Sequence, residues 1–213
     1  MISIHCPLCR DENTTGYNKH PARQFWQCAT CALVFVAPSD YPNANAEKAR
    51  YDQHQNDPSD ERYRGFLRTL ATPLLSRLTP GAHGLDFGCG PGPALAAVLR
   101  EAGMYVDLYD IYYAPNDAAW ARQYDFVTAT EVVEHLHEPA HEFARLFAAV
   151  RPGGWLAVMT KWVSNIPSFA HSRYVRDSTH VCLYSRETFC WIATRWNSVV
   201  DFPASDVALF RVG

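Results

Sequence analysis

Short apolar runs punctuate the second half of the chain, at residues 84–87, 104–109, 124–130 and 155–160. Each is too short for a core helix and is bounded by glycine, proline or charge, which predicts strands buried in a sheet. Elsewhere the apolar spacing widens to the helical period. Phe143, Leu146, Phe147 and Val150 predict an amphipathic helix over 140–150, broken by Arg151-Pro152-Gly153-Gly154. Residues 46–78 predict two helices interrupted at Asn56-Asp57-Pro58-Ser59. Ser59 or Asp60 caps the second, whose face is Phe66, Leu67, Leu70, Leu74, Leu75 and Leu78. A last helix over 186–196 takes Ser185 as its N-cap, and strands near 198–202 and 207–212 close the chain as a hairpin. Strands alternating with helices predict an α/β fold with a doubly wound sheet.

The first strand runs into Gly84-Leu85-Asp86-Phe87-Gly88-Cys89-Gly90-Pro91-Gly92. A turn of three glycines lets backbone approach a polar ligand, because no Cβ stands in the way. Asp110 ends the next strand, where a doubly wound sheet puts an acid to bind the two hydroxyls of a ribose. Together they predict a nucleoside site. The glycine spacing is G-x-G-x-G rather than the dinucleotide G-x-G-x-x-G, and Asp86 stands two residues before the first glycine of the turn. That carboxylate would repel a pyrophosphate and suits an ammonium or sulfonium, which disfavours a nucleotide-dependent oxidoreductase. The Lys-Ser/Thr of a P-loop is missing as well.

Residues 85–92 resemble motif I of the class I S-adenosylmethionine-dependent methyltransferases. The order strand, Glu134-His135-Leu136, helix, Arg151-Pro152-Gly153-Gly154, strand is similar to the fourth and fifth strand region of that family. The resemblance implies a Rossmann-like methyltransferase domain over 80–213 that binds S-adenosylmethionine. The implied cofactor residues are Asp86, Phe87, Gly88, Gly90, Gly92, Asp110, Ile111, Thr130 and Glu131. Little chain separates Asp110 from Tyr124, so the sheet is shortened around strand 3 and 111–123 holds a short helix at most. The family's adenine-contacting acid has no match there, and Ile111 and Tyr112 are expected to line the adenine instead.

The N-terminal part carries a different chemistry. Cys6-Pro7-Leu8-Cys9 and Cys28-Ala29-Thr30-Cys31 are two C-x2-C knuckles separated by eighteen residues. Four thiolates at that spacing can converge on one zinc in a tetrahedron, which predicts a structural zinc ribbon over 1–40. Phe25, Trp26, Val34 and Phe35 supply its small apolar face. Residues 38–45, rich in proline, asparagine and aspartate, mark the boundary to a helical lid over 41–79. In related methyltransferases this segment covers the cofactor, and Tyr51, His54 and Tyr63 are the lid candidates.

Glu131, Glu134 and His135 would share one face if the segment after the fourth strand is helical. With His180 they could bind a divalent cation such as magnesium. The pattern Glu-x-x-Glu-His with a later histidine resembles the metal site of small-RNA 3′-terminal 2′-O-methyltransferases and of ubiquinone-pathway O-methyltransferases. The resemblance implies a cation that holds the acceptor hydroxyls and lowers the pKa of the attacking one. Glu-His-Leu also occurs in class I methyltransferases that use no metal. There Glu131 borders the cofactor and the histidine is a base or a substrate contact. An oxygen acceptor needs a general base near the methyl, and His135 and His180 are the candidates. His137, His141 and His171 are left as surface residues.

Composition narrows the acceptor only slightly. A net charge of −3 gives no electrostatic case for nucleic acid, so a small-molecule acceptor is favoured over RNA. Paired cysteine knuckles ahead of a class I domain also occur in sugar C-methyltransferases and in an rRNA guanine methyltransferase, so those acceptors stay open. A non-catalytic zinc-ribbon binding module with a vestigial cofactor pocket is the reading from another class, opposed by the intact glycines and both acids. Seven cysteines, an odd number, argue against a disulfide framework. No run of apolar residues approaches a membrane span and no export signal is legible, which predicts a cytoplasmic protein without membrane contact.

Overall fold

The computed structural model describes residues 4–20, 23–53, 56–166 and 168–213. Three antiparallel strands come first, β1 (Thr14–His20), β2 (Arg23–Cys28) and β3 (Val34–Val36). Helix α1 (Ala44–Tyr51) follows, capped by Asn43, whose side chain accepts from the Ala46 amide at 3.0 Å. Helix α2 (Glu61–Leu75) is capped by Asp60, which accepts from the Arg62 amide at 2.8 Å, while Ser59 bonds Asp57 instead. Then β4 (His83–Phe87), α3 (Ala94–Glu101), β5 (Tyr105–Tyr109), β6 (Tyr124–Thr130), α4 (Pro139–Ala149) and β7 (Val150–Met159) alternate. The chain ends with α5 (Arg173–Arg176), β8 (Cys182–Leu183), α6 (Arg186–Arg195), β9 (Ser198–Ala204) and β10 (Val207–Val212). Ser185 caps α6, accepting from the Thr188 amide at 3.1 Å.

Six strands form one sheet in the order β5-β4-β6-β7-β10-β9. The first four are parallel, and β10 and β9 close it as an antiparallel hairpin. Side chains alternate faces along each strand, so both faces need cover. Leu67, Leu70 and Leu74 of α2 and Leu95 and Leu99 of α3 pack with Phe126, Ala157, Met159 and Leu209 on one face. Phe143, Leu146 and Phe147 of α4 and Phe189 and Ile192 of α6 pack with Leu85, Val127, Leu156, Val158 and Phe210 on the other. This is an α/β Rossmann-like fold. Phe66, expected on the packed face of α2, is instead 41% exposed.

No strand lies between β5 and β6, so the sheet is shortened as expected. Asp110 bridges to Ala114, and Asp117–Ala121 forms a single 3-10 turn in place of a short α-helix. The N-terminal strands form a second sheet, in the order β1-β2-β3-β8. Its fourth strand comes from the far end of the chain: Val34 pairs with Leu183 and Phe35 with Cys182. Phe25, Val34 and Phe35 are fully buried and join the same core as Val175, Val181 and Leu183, while Trp26 packs at its edge. Among the described residues, no helix is long and apolar enough to cross a membrane.

One expected element differs. The segment after β6 is not helical. Glu131 takes a left-handed φ of 54°, Val133–His135 makes one 3-10 turn, and the next helix starts only at Pro139. The spacing that puts positions i, i+3 and i+4 on one face therefore does not apply there. A left-handed residue ends the strand at Glu131, before the 3-10 turn that carries Glu134 and His135.

Candidate active site

The glycine turn and the neighbouring strand end are stitched together by hydrogen bonds. Gly88 and Gly90 have φ of 72° and 65°, conformations that cost a side-chain-bearing residue energy. The Gly88 amide donates to Tyr109 O at 2.8 Å, and the Gly90 amide donates to Asp110 Oδ2 at 3.0 Å. Asp110 Oδ1 accepts from the amides of Tyr112 and Tyr113, at 2.8 and 3.1 Å. A Cβ at Gly88 would overlap Val132, and one at Gly92 would overlap the Asn56 carbonyl. Asp86 is buried at the sheet's edge and accepts from Thr128 Oγ1 at 2.8 Å; burial pushes its carboxyl up to about 6.

Two neighbouring cavities meet at this turn, of about 370 Å³ and about 390 Å³. Phe87, Gly90, Asp110 and Ile111 line the first, Asp86, Gly92 and Thr130 line the second, and Gly88 and Glu131 border both. All nine expected cofactor residues thus lie around one continuous region. Thr130 Oγ1 is buried without a hydrogen-bond partner among the described residues. Tyr51 and Tyr63 line the first and second cavity respectively, whereas His54 lies outside the described residues. Ile111 and Tyr112 both border the first cavity, with Ile111 70% exposed.

The second cavity holds the acid and histidine cluster. His135 and His180, from distant parts of the chain, bring their rings to 4.7 Å. His135 Nδ1 donates to Thr179 O at 3.1 Å and His180 Nδ1 to Tyr174 O at 2.7 Å. A carbonyl can only accept, so Nδ1 of each ring carries a proton, and Nε2 is an acceptor wherever the ring is neutral. That arrangement suits a base or a metal ligand. Burial pushes His180 down to about 4, which keeps it neutral near pH 7. Glu134 is fully buried; Oε2 accepts from Thr160 Oγ1 at 2.9 Å, and Oε1 has no partner among the described residues. Burial raises Glu134 to about 7, and burial followed by the Glu134 charge raises Glu131 to about 9.

Donor atoms of Glu134, His135 and His180 lie within 4.8 Å of one another and could hold a cation. Glu131 is not in that group. It lines the same cavity, with a left-handed residue rather than a helical turn carrying it.

Several residues at the site carried no sequence signal. Tyr174 OH lies 2.8 Å from Thr160 Oγ1, extending the Glu134 network. His137, expected at the surface, is half-buried. Its Nε2 lies 3.0 Å from Glu47 Oε1, and its ring packs 4.4 Å from Tyr41 beside the first cavity. Arg145 stacks over Trp120 at 3.9 Å on the same wall. These contacts join α1, α4 and the shortened 111–123 segment, and only the folded chain brings them together.

The four knuckle cysteines also converge. All four Sγ atoms lie within 4.8 Å of one another, with Cys6–Cys31 at 3.5 Å and Cys9–Cys28 at 3.4 Å. A tetrahedron of Zn–S bonds of about 2.3 Å has edges of about 3.8 Å, so the set fits such an ion. A hydrogen bond from Cys31 holds Cys6 down to about 6, while burial pushes Cys9 up to about 12. Four thiolates at these distances need a cation to coexist.

Comparison with known proteins agrees with this geometry. A family model described as "Methyltransferase domain" matches residues 59–200. A ubiquinone biosynthesis O-methyltransferase of Marinobacter nauticus is 34% identical over 84 residues, 38% of this chain and 35% of that protein. The protein of the same name from Thiobacillus denitrificans is 33% identical over 104 residues, 38% of this chain and 44% of that protein. The chain thus spans less than half the length of these relatives. The structure of Burkholderia thailandensis 1,6-didemethyltoxoflavin-N1-methyltransferase, with its substrate and S-adenosylhomocysteine bound, superposes with a TM-score of 0.54 at 16% identity. That match covers 92% of this chain and 98% of the other. An O-methyltransferase family protein from the same organism gives a TM-score of 0.52 at 16% identity, over 83% of this chain and 65% of that one. At such identity these likenesses speak for the fold alone. With more than half of its length matched by the family model, the chain belongs to the methyltransferase-domain family.

Proposed function

We propose that this protein transfers the methyl group of S-adenosylmethionine to an oxygen of a small-molecule acceptor. One observation carries the reading: a glycine turn locked to Asp110 borders a cavity lined by two histidines whose Nδ1 atoms are held by backbone carbonyls. The turn fits the donor because side chains are sterically excluded there. A carboxylate offers about four acceptor positions, and three backbone amides occupy only part of the set on Asp110. Thr130 Oγ1 supplies a further unused group at the rim. The nucleoside end takes the first cavity, against Ile111, Tyr112 and Arg145. The methionine end passes Gly88 into the second.

Bound there, the donor supplies a sulfonium methyl that leaves by in-line displacement. The chain's own residues align the acceptor and receive its proton. His135 or His180 accepts that proton at Nε2. Tyr63, Phe66 and Leu67 add apolar lining to the same cavity, which favours an acceptor with a hydrophobic body over a polyanion. Glu134, His135 and His180 could instead hold a divalent cation that binds acceptor hydroxyls. Two imidazoles with one carboxylate suit manganese, zinc or iron(II) better than magnesium. The cysteine cluster would hold a structural zinc, and a thiolate site of that kind fits a reducing, cytoplasmic setting.

The test is methyl transfer from labelled S-adenosylmethionine to a panel of hydroxylated aromatics, with the product analysed for O- or C-methylation. O-methylated product lost in both His135→Ala and His180→Ala supports the proposal. C-methylation, transfer only to RNA, or donor binding with no turnover on any acceptor would each replace it.

A further inference from the structure

Arg23 opens the ribbon strand β2 and reaches into the loop that carries His180. Its Nη1 donates to Asp177 O at 2.7 Å and to Val175 O at 3.2 Å. Its Nη2 donates to His180 O at 2.9 Å and to Ser178 O at 3.4 Å. One carbonyl at the end of α5 and three in the loop after it therefore converge on a single side chain of β2. The four-residue helix α5 ends in this loop and cannot satisfy its own last carbonyls, so outside donors are needed. A planar guanidinium presents its N–H groups as a fixed fork, which an ammonium cannot reproduce.

The same loop bears on the histidine cluster at several points. Tyr174 O orients the His180 ring and Thr179 O orients the His135 ring. The Val181 amide donates to Glu134 O at 2.8 Å, and the Val36 amide of β3 donates to Val181 O at 3.1 Å. Arg50 of α1 holds Asp177 Oδ2 through two nitrogens, at 2.8 and 2.7 Å. The carbonyls that set both imidazoles thus belong to a segment held by Arg50 from α1 and by the N-terminal sheet, where the Arg23 side chain adds four bonds to the backbone pairing of β3.

We propose that Arg23 is a positioning residue, coupling the cysteine ribbon to the orientation of His135 and His180 while leaving the donor half of the site untouched. This rests on reading the second cavity as the acceptor side. The ribbon then supports catalysis without touching any substrate.

The test uses the full-length protein and its Arg23→Gln and Arg23→Lys variants, none of which requires a known acceptor. In Arg23→Gln, amide exchange at His180 and Val181 is expected to accelerate at least about tenfold, with the Cys28 and Ala32 amides of the ribbon unchanged. In protein carrying ¹⁵N-histidine, the His180 Nδ1–H signal should shift or broaden, while S-adenosylhomocysteine affinity stays within about twofold. Arg23→Lys keeps the charge but not the fork and should restore less than half of the protection. If Arg23→Gln does not fold, Arg23→Lys alone carries the test, with acceleration of at least about threefold. An unchanged His180 ring signal, or exchange that rises equally throughout the ribbon, overturns the proposal. Failure of the wild-type protein to bind S-adenosylhomocysteine would defeat the functional reading instead, and the loop measurements would still decide the role of Arg23.

Discussion

The Gly90 amide donates to Asp110 Oδ2 at 3.0 Å, so the acid at the tip of β5 fixes the glycine turn at the tip of β4. Asp110 thereby serves two ends: it shapes the turn, and it offers its remaining lone pairs to a ribose. Asp110→Ala should weaken S-adenosylhomocysteine binding by about 1–3 kcal/mol through loss of charge-assisted bonds. Calorimetry checks this, and an unchanged dissociation constant would separate Asp110 from the donor.

Asp86 gives a prediction in pH. Burial raises its carboxyl from 3.8, its ordinary value, to about 6. The folded state therefore binds more protons than the unfolded state between those values. This contribution to stability is full below the unfolded value and is lost as pH rises through about 6. Asp86→Asn removes the titration, so its stability relative to the native protein should rise between pH 4 and pH 7, by roughly 2–3 kcal/mol. Urea denaturation at several pH values measures it; a difference that does not vary with pH contradicts the assignment.

Much of this arrangement was legible in the residues. Strands β4 to β7 announce themselves because both faces are buried, and the glycines because nothing larger fits against Val132 and Asn56. The missing third strand could be read from the short spacing between Asp110 and Tyr124. The turn at Glu131 was not legible, since helical spacing over six residues is matched equally by a left-handed residue followed by a 3-10 turn. Strand β8 is two residues long, too short for any pattern, so the sheet it shares with the N-terminal strands could not be foreseen. Thr160, Tyr174 and Asp177 gain their roles only through partners far away in sequence.

Glu134 should decide whether a cation takes part. If the cluster holds a cation, manganese binding followed by electron paramagnetic resonance is seen with the native protein and lost in Glu134→Ala, together with any metal dependence of turnover. Activity untouched by chelators would assign His135 and His180 to proton transfer alone.

The ribbon should carry one zinc per chain, measured by atomic absorption, and Cys28→Ser should lose it. Since β3 pairs with β8, the loss should propagate into the main core. A destabilisation of about 2 kcal/mol corresponds to a drop in Tm of about 4–8 °C for a chain of this size. Full retention of zinc by the variant would contradict the four-cysteine assignment.

The most direct test of the donor site is a calorimetric titration of the native protein with S-adenosylhomocysteine and, separately, with NAD. Saturable one-to-one binding of S-adenosylhomocysteine, with no heat from NAD, is the predicted result. Saturation by NAD with none by S-adenosylhomocysteine would contradict it.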